Sequence, residues 1–104
     1  MKIHIRDLEF EAIIGLLDHE RDRTQRVRLD IEATYDYRPP EYLDYAQMVE
    51  TAQAHIIEHK YTLLEEALHG LHTTLLETFP QIESLDITIA KPDILPDCVV
   101  RLSL

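Results

Sequence analysis

Two adjacent carboxylates, a lysine set ahead of a proline and a tyrosine at a helix start are the side chains of this sequence best suited to bind a polar ligand and move its protons. The carboxylates lie in Thr62-Leu63-Leu64-Glu65-Glu66-Ala67-Leu68, where an apolar stripe of helical period begins. At about 100° per residue, Glu65 falls at the margin of that stripe and Glu66 nearly opposite to it. A carboxylate at a helix N-terminus stays ionised, and when partly enclosed it offers two parallel acceptors to a planar donor pair such as an amidine or aminopyrimidine edge. The same glutamate also completes a capping box with Thr62, which would satisfy the helix terminus and require no ligand. Lys91 precedes Pro92, whose ring restricts the lysine backbone to extended geometry and aims it reproducibly; the plainer reading is an exposed lysine at a strand end. Tyr45, in the first turn of a helix and on its apolar stripe, reads on its own as a core aromatic with its hydroxyl at the rim.

His55-Ile56-Ile57-Glu58-His59 fits the H-x-x-E-H pattern, in which two histidines one turn apart hold zinc. A third ligand is then needed, and the acids after the second helix, Glu83, Asp86, Asp93 and Asp97, form no recognisable ligand motif. With Ile56 on an apolar stripe, the two histidines belong at its border or in solvent, as do His69 and His72 on the next helix. Neither a metal nor a cofactor is expected.

These side chains need elements to hold them, and the apolar periodicities supply the elements. Lys2 to Ile14 alternates at Ile3 and Ile5 and again at Leu8, Phe10 and Ala12, its phase broken near Arg6-Asp7 as a bulge would break it. Residues 26 to 37 place Val27, Leu29, Ile31, Ala33, Tyr35 and Tyr37 on one face and Arg26, Arg28, Asp30, Glu32 and Asp36 on the other, the pattern of a half-buried strand. Gly15 to Gln25, charged and without alternation, reads as the connecting loop. Arg38-Pro39-Pro40 ends the second strand because neither proline can donate to a ladder. Asp44, with Gln47 three residues on, starts a helix that runs to about His59 on a stripe of Tyr45, Met48, Val49, Ala52 and Ile56. A second helix runs from near Thr62 to Pro80 on Leu64, Ala67, Leu68, Leu71, Leu75 and Phe79. Alternation returns at Leu85, Ile87 and Ile89 and at Val100, Leu102 and Leu104, across the turn Lys91 to Pro96. The order strand, strand, helix, helix, strand, strand predicts an α+β fold: a four-stranded antiparallel sheet with both helices on one face. Its edges are too apolar to be left open to water, and pairing with further copies into a closed ring would cover them.

A chain of 104 residues with 45% hydrophobic content holds one modest core, so residues 1–104 read as a single domain. Twenty acidic residues against ten basic ones give a net charge of -10, which repels nucleic acid and anionic membrane surfaces alike. No apolar run approaches the ~20 residues of a membrane span. The lone cysteine, Cys98, has no internal disulfide partner, and Met1-Lys2-Ile3-His4-Ile5-Arg6 has polar residues where a signal peptide needs an apolar run, so a cytoplasmic protein is expected.

Gly15-Leu16-Leu17-Asp18-His19-Glu20-Arg21, then Gln25, Leu43-Asp44-Tyr45, Leu63-Leu64-Glu65 and Lys91-Pro92 follow in one order through nearly the whole chain. Together they resemble the dihydroneopterin aldolase family of folate biosynthesis. The resemblance implies the tunnelling fold, with ββααββ subunits joined edge to edge into rings, commonly tetramers stacked as octamers, and sites between neighbouring subunits. It implies metal-independent retro-aldol cleavage of a small pterin, 7,8-dihydroneopterin, to 6-hydroxymethyl-7,8-dihydropterin and glycolaldehyde, without a cofactor. Glu65 would then hold the 2-amino and N3–H edge of the pterin, with Leu64 and Leu43 as further substrate-binding residues. Tyr45 would reach the substrate hydroxyls across an interface, Lys91 would act near N5 through water, and Glu20 would stand near the trihydroxypropyl tail, making Lys91, Tyr45 and Glu20 the catalytic candidates. An epimerase of dihydroneopterin or its triphosphate is the nearest rival, and the proline after Lys91 resembles the aldolase branch more. A zinc-dependent enzyme using His55 and His59 and a non-catalytic ring-forming protein are the readings from other classes. Two stretches depart from the family: the connection Asp36 to Asp44 is shorter than usual, and the last strand is entered through Asp97-Cys98-Val99 where glycines are common.

Overall fold

The computed structural model describes all 104 residues. The chain runs β1 (Lys2–Ala12), α1 (Asp18–Arg21), β2 (Gln25–Tyr35), α2 (Tyr45–His59), α3 (Leu64–Thr78), β3 (Ile82–Lys91) and β4 (Val100–Ser103). The strands form one sheet in the order β1-β2-β3-β4, each neighbour antiparallel. Strands β2 and β3, adjacent in space, are joined through both long helices, which lie across one face: α2 packs against β1, α3 against β3, and the helices against each other.

Alternation explains which face is covered. Val27, Leu29, Ile31 and Ala33 of β2 and Leu85, Ile87 and Ile89 of β3 are buried beneath Met48, Ala52 and Ile56 of α2 and Ala67, Leu68, Leu71 and Leu75 of α3. Each fully buried isoleucine or leucine contributes about 1.5–3 kcal/mol, so this layer is the main source of stability. The opposite face carries charge: Arg26 and Arg28 both bond Glu9 across β1 and β2, at 3.2 and 3.1 Å. Arg26 also grips Asp93 of the β3–β4 connection with two bonds, at 3.1 and 2.9 Å. The bulge near Arg6-Asp7 is present, with register shifting between Ile5↔Ile31 and Leu8↔Leu29, so that two residues oppose Asp30 alone. Asp7 takes φ 54° there and donates its N–H to the Asp30 carboxylate at 2.9 Å.

The structure corrects the sequence reading in four places. The charged stretch Gly15 to Gln25 is not all loop: it contains α1, a single turn too short to show periodicity, in which Glu20 is buried. Strand β2 ends at Tyr35, and Tyr37 is exposed rather than continuing the inner face. Tyr45 is 65% exposed and does not join the apolar stripe of α2, which starts at Met48. The capping box at Thr62 is not formed. The N-cap of α3 is Leu63, in extended geometry with no side-chain cap, and the first helical bond runs from Ala67 N–H to Leu63 C=O. A tertiary tie accounts for this: α2 ends on Lys60 in the left-handed region, and the carbonyl of Tyr61 accepts from Gly15 N–H at 3.0 Å, so the chain is already committed before the helix can begin at Thr62. By contrast Asp44 does cap α2, accepting from Gln47 N–H at 3.1 Å.

The two helix starts therefore respond differently to truncation. Asp44→Ala should lower the stability read from urea midpoints by about 1 kcal/mol, the usual loss of a side-chain cap. Thr62→Ala should stay within about 0.5 kcal/mol, as for an exposed residue without such a role. Equal losses in the two variants would mean that Thr62 caps α3 in solution.

Candidate active site

At one end of the sheet a buried ion pair joins the last residue of β3 to α1. Lys91 Nζ donates to Glu20 Oε2 at 2.7 Å, with side chains only 11% and 3% exposed. Two more donors complete the carboxylate: Gln25 Nε2 reaches Oε2 at 2.9 Å, and the Leu17 backbone N–H reaches Oε1 at 3.1 Å. The Gln25 amide also donates to the Ile14 carbonyl at 2.7 Å, which fixes its orientation. Gly15, at φ +133°, lies directly over the carboxylate, and a Cβ there would overlap Glu20. That position must be glycine on both steric and backbone grounds.

Burial by itself would push the Glu20 carboxyl up. The hydrogen bonds from Lys91, Gln25 and Leu17 N–H, with the charge of Lys91, outweigh it and hold the group below its ordinary value of 4.5. Glu20 is thus an ionised acceptor at neutral pH. An ammonium has three donors and the carboxylate engages one of them, so Lys91 retains donors for a ligand held at a fixed point.

The start of α3 belongs to the same end. Gly15 N–H bonds the Tyr61 carbonyl, and Arg21 donates to the carbonyls of Gly15, Tyr61 and Lys60 at 3.0, 3.2 and 2.9 Å. Leu64, half-buried, and Glu65, exposed and without a hydrogen bond in the subunit, follow within the next turn. Glu66 is exposed too. Tyr45 and Leu43 are elsewhere. Tyr45 opens α2 and His59 closes it, about 21 Å away at 1.5 Å per residue, and it is the His59 end that meets Arg21 and Gly15. Leu43 is 3% exposed, its side chain in the core near that far end, where Gln81 Nε2 donates to the Tyr42 carbonyl at 3.4 Å. The lone subunit therefore joins Glu20 to Lys91 directly, ties the corner that precedes Leu64 and Glu65 to the same end, and leaves Tyr45 and Leu43 apart. None of its four concavities is lined by Glu20 or Lys91.

The histidine pair has a packing role. His55 Nε2 lies 2.7 Å from the Tyr61 hydroxyl and its Nδ1 3.3 Å from Thr74 Oγ1, while His59 Nδ1 lies 2.8 Å from the His55 carbonyl. The His59 ring stacks on Tyr61, and Gly70 of α3 leaves the space that the Tyr61 hydroxyl fills. Burial, followed by repulsion from His59, holds His55 below the usual imidazole value. Gly15, Gln25 and Arg21 are the contributors that carry no role in the sequence reading. All three stand in the ordered motif that carries the family resemblance, which marks their positions without saying that they hold the Glu20 carboxylate or the corner beside it.

A four-stranded antiparallel sheet backed by two helices, with a carboxylate-held lysine at the end of a central strand, defines a tunnelling-fold enzyme. The family model for dihydroneopterin aldolase (FolB) matches residues 3–102, and the chain belongs to that family. It is similar to a candidate dihydroneopterin aldolase from Vibrio cholerae, with 26% identity and a TM-score of 0.91 over 100% of this chain and 94% of that one. It is also similar to the dihydroneopterin aldolase of E. coli in complex with neopterin, with 24% identity and a TM-score of 0.89 over 100% and 96%. Urate oxidase from Bacillus sp. TB-90 shares the fold at 15% identity and a TM-score of 0.80, with 99% of this chain covering 46% of that one. No curated protein matches the chain by sequence. No helix is long and apolar enough to cross a membrane.

The Glu20–Lys91 pair predicts a pH signature. Because the folded-state value of Glu20 is depressed, its contribution is complete above the unfolded value of 4.5 and is lost as pH falls through the lower folded value. Glu20→Gln, which resembles the protonated acid, should be about 3–5 kcal/mol less stable at neutral pH because it leaves a buried charge unpaired. The gap between wild type and variant should close in urea melts taken at progressively lower pH, and a gap that persists in acid would refute an ionised pair.

Proposed function

We propose that the protein is a metal-independent dihydroneopterin aldolase whose sites form between subunits of a closed ring, the Lys91–Glu20 pair being the observation that carries this reading. The family's reaction breaks the bond between the first two side-chain carbons of 7,8-dihydroneopterin. A base takes the 2′-hydroxyl proton, glycolaldehyde leaves, and the bonding electrons pass into the conjugated imine at N5. A donor near N5 stabilises the enamine-like intermediate, which is then protonated to 6-hydroxymethyl-7,8-dihydropterin. Lys91, held by Glu20, supplies that donor through water. Glu65 offers its free carboxylate to the 2-amino and N3–H edge, with Leu64 beside it, and the dipole of α3 favours the charge there. Glu20 stands where the trihydroxypropyl tail would lie.

Tyr45 would carry protons to and from the substrate hydroxyls. At about 21 Å along α2 from the Glu20 end it does so only from a second copy, with Leu43 next to it. Two further observations support assembly: β1 and β4 are open edges, and Leu16 and Leu17 beside α1, Leu63 at the start of α3, and Leu95 and Val99 in the connection after Lys91 are exposed apolar residues. The neopterin bound by the E. coli relative supports a pterin as ligand.

Release of glycolaldehyde from 7,8-dihydroneopterin tests the reaction, and a mixing experiment tests the shared site. Lys91→Ala and Tyr45→Phe should each slow cleavage by about two to four orders of magnitude, the range for a positioned acid or base. Rings refolded from a mixture of the two variants should regain activity well above either, since some interfaces then hold both wild-type residues. A mixture no more active than its parts would show that one chain supplies both groups.

Glu65 and Glu66 separate by titration with neopterin. Glu65→Gln should weaken binding by roughly 2 to 4 kcal/mol, since it replaces a charged acceptor by a donor facing the pterin's own donors. Glu66→Gln should bind as wild type, and because neither glutamate caps α3 both variants should melt like the parent. Unchanged affinity in Glu65→Gln would remove it from the site.

A further inference from the structure

Arg21 follows Glu20 in the chain and takes part in no ion pair, although the protein carries twenty carboxylates. It spends its guanidinium on backbone instead. One terminal nitrogen donates to the Gly15 and Tyr61 carbonyls, and the other to the Lys60 carbonyl. These three acceptors belong to two pieces of chain with different cargo. Gly15 is the residue on which the Glu20 carboxylate rests, and Leu17, two residues on, donates to that carboxylate. Lys60 and Tyr61 form the corner between α2 and α3, and Leu64 and Glu65 open the helix just beyond it. A single turn such as α1 cannot hold its own shape in water, so its place is set by such ties. A planar fork can satisfy carbonyls on both pieces at once, which a point-like ammonium cannot do with the same geometry.

We infer that Arg21 is a positioning residue: it sets the spacing between the Glu20–Lys91 pair and the Glu65 end of α3 by fastening the segment that leads into Glu20 to the α2–α3 corner. The choice of these two ends as the ones that must be spaced rests on the proposed pterin site. Arg21 touches no reacting atom. A substrate gripped at one end by Glu65 and worked at the other by Lys91 reacts only when that spacing is right, and a misplacement near 1 Å can cost about a hundredfold. The Gly15 N–H to Tyr61 bond survives without Arg21, so its loss should loosen the joint and leave the fold intact.

The test compares Arg21→Ala and Arg21→Lys with wild type. The groups facing the Glu20 carboxylate are Lys91 of β3, Gln25 of β2 and the Leu17 N–H, and a shifted Gly15–Leu17 segment weakens the last of these first. The Glu20 side-chain carboxyl, followed by carbon-13 NMR, should therefore titrate at higher pH in Arg21→Ala, with Arg21→Lys in between. Turnover of 7,8-dihydroneopterin should fall by about ten- to a hundredfold in Arg21→Ala, mainly in kcat and with little change in neopterin affinity. Millimolar guanidinium ion should restore part of it. A Glu20 titration identical to wild type in both variants, or an activity loss that tracks the melting temperature and ignores guanidinium, would overturn the inference. The carboxyl titration needs no substrate, so it still decides the role of Arg21 if the wild-type protein leaves dihydroneopterin intact, a result that would sink the proposed function alone.

Discussion

A lysine and a glutamate that are both nearly out of water can only be charged if each has the other, and much of the local structure is arranged to keep them together. Desolvating two such groups costs several kcal/mol apiece, and their attraction offsets this only when the remaining lone pairs are also satisfied. Gln25 and the Leu17 N–H meet that condition here, and the absence of a side chain at Gly15 leaves room for the carboxylate they hold. The pair therefore governs the conformation of the whole stretch between β1 and β2 and holds the end of β3 in place.

The division of labour among the elements follows. Strands β2 and β3, buried on one face and central in the sheet, supply Gln25 and Lys91 at their ends, each paired there with the neighbouring outer strand. The helices bring the other half. Tertiary ties at Tyr61, rather than local capping, decide where α3 begins, and so decide where Glu65 stands. The zinc-like histidine spacing is absorbed into the same corner, where His55 and His59 brace the Tyr61 ring against α3.

Elements with long apolar periods were legible in the sequence: both long helices, the bulge in β1 and the inner faces of β2 and β3 are where the patterns put them. Short or tertiary-determined features were not. Four residues of α1 show no periodicity, Tyr45 occupies a stripe position yet stands in solvent because the core begins a turn later, and Thr62 satisfies a capping pattern that the tie at Tyr61 overrides. The family motifs placed Glu20 and Lys91 on the same list, but nothing in their separation of 71 residues says that they touch. That contact depends on how β3 returns beside β2, which is a property of topology and not of local sequence.

The grip of Arg26 on Asp93 has its own consequence. Both side chains are exposed, so this fork on the outer face of the sheet is open to mobile counterions, whereas the Glu20–Lys91 pair on the other side of the same connection is sheltered from them. Ionic strength should thus act on the two sides of Lys91 unequally, freeing the segment after Pro92 while leaving the lysine clasped. The protein contains in this way a salt-sensitive tether at Asp93 beside a salt-indifferent anchor at Lys91, with only Pro92 between them.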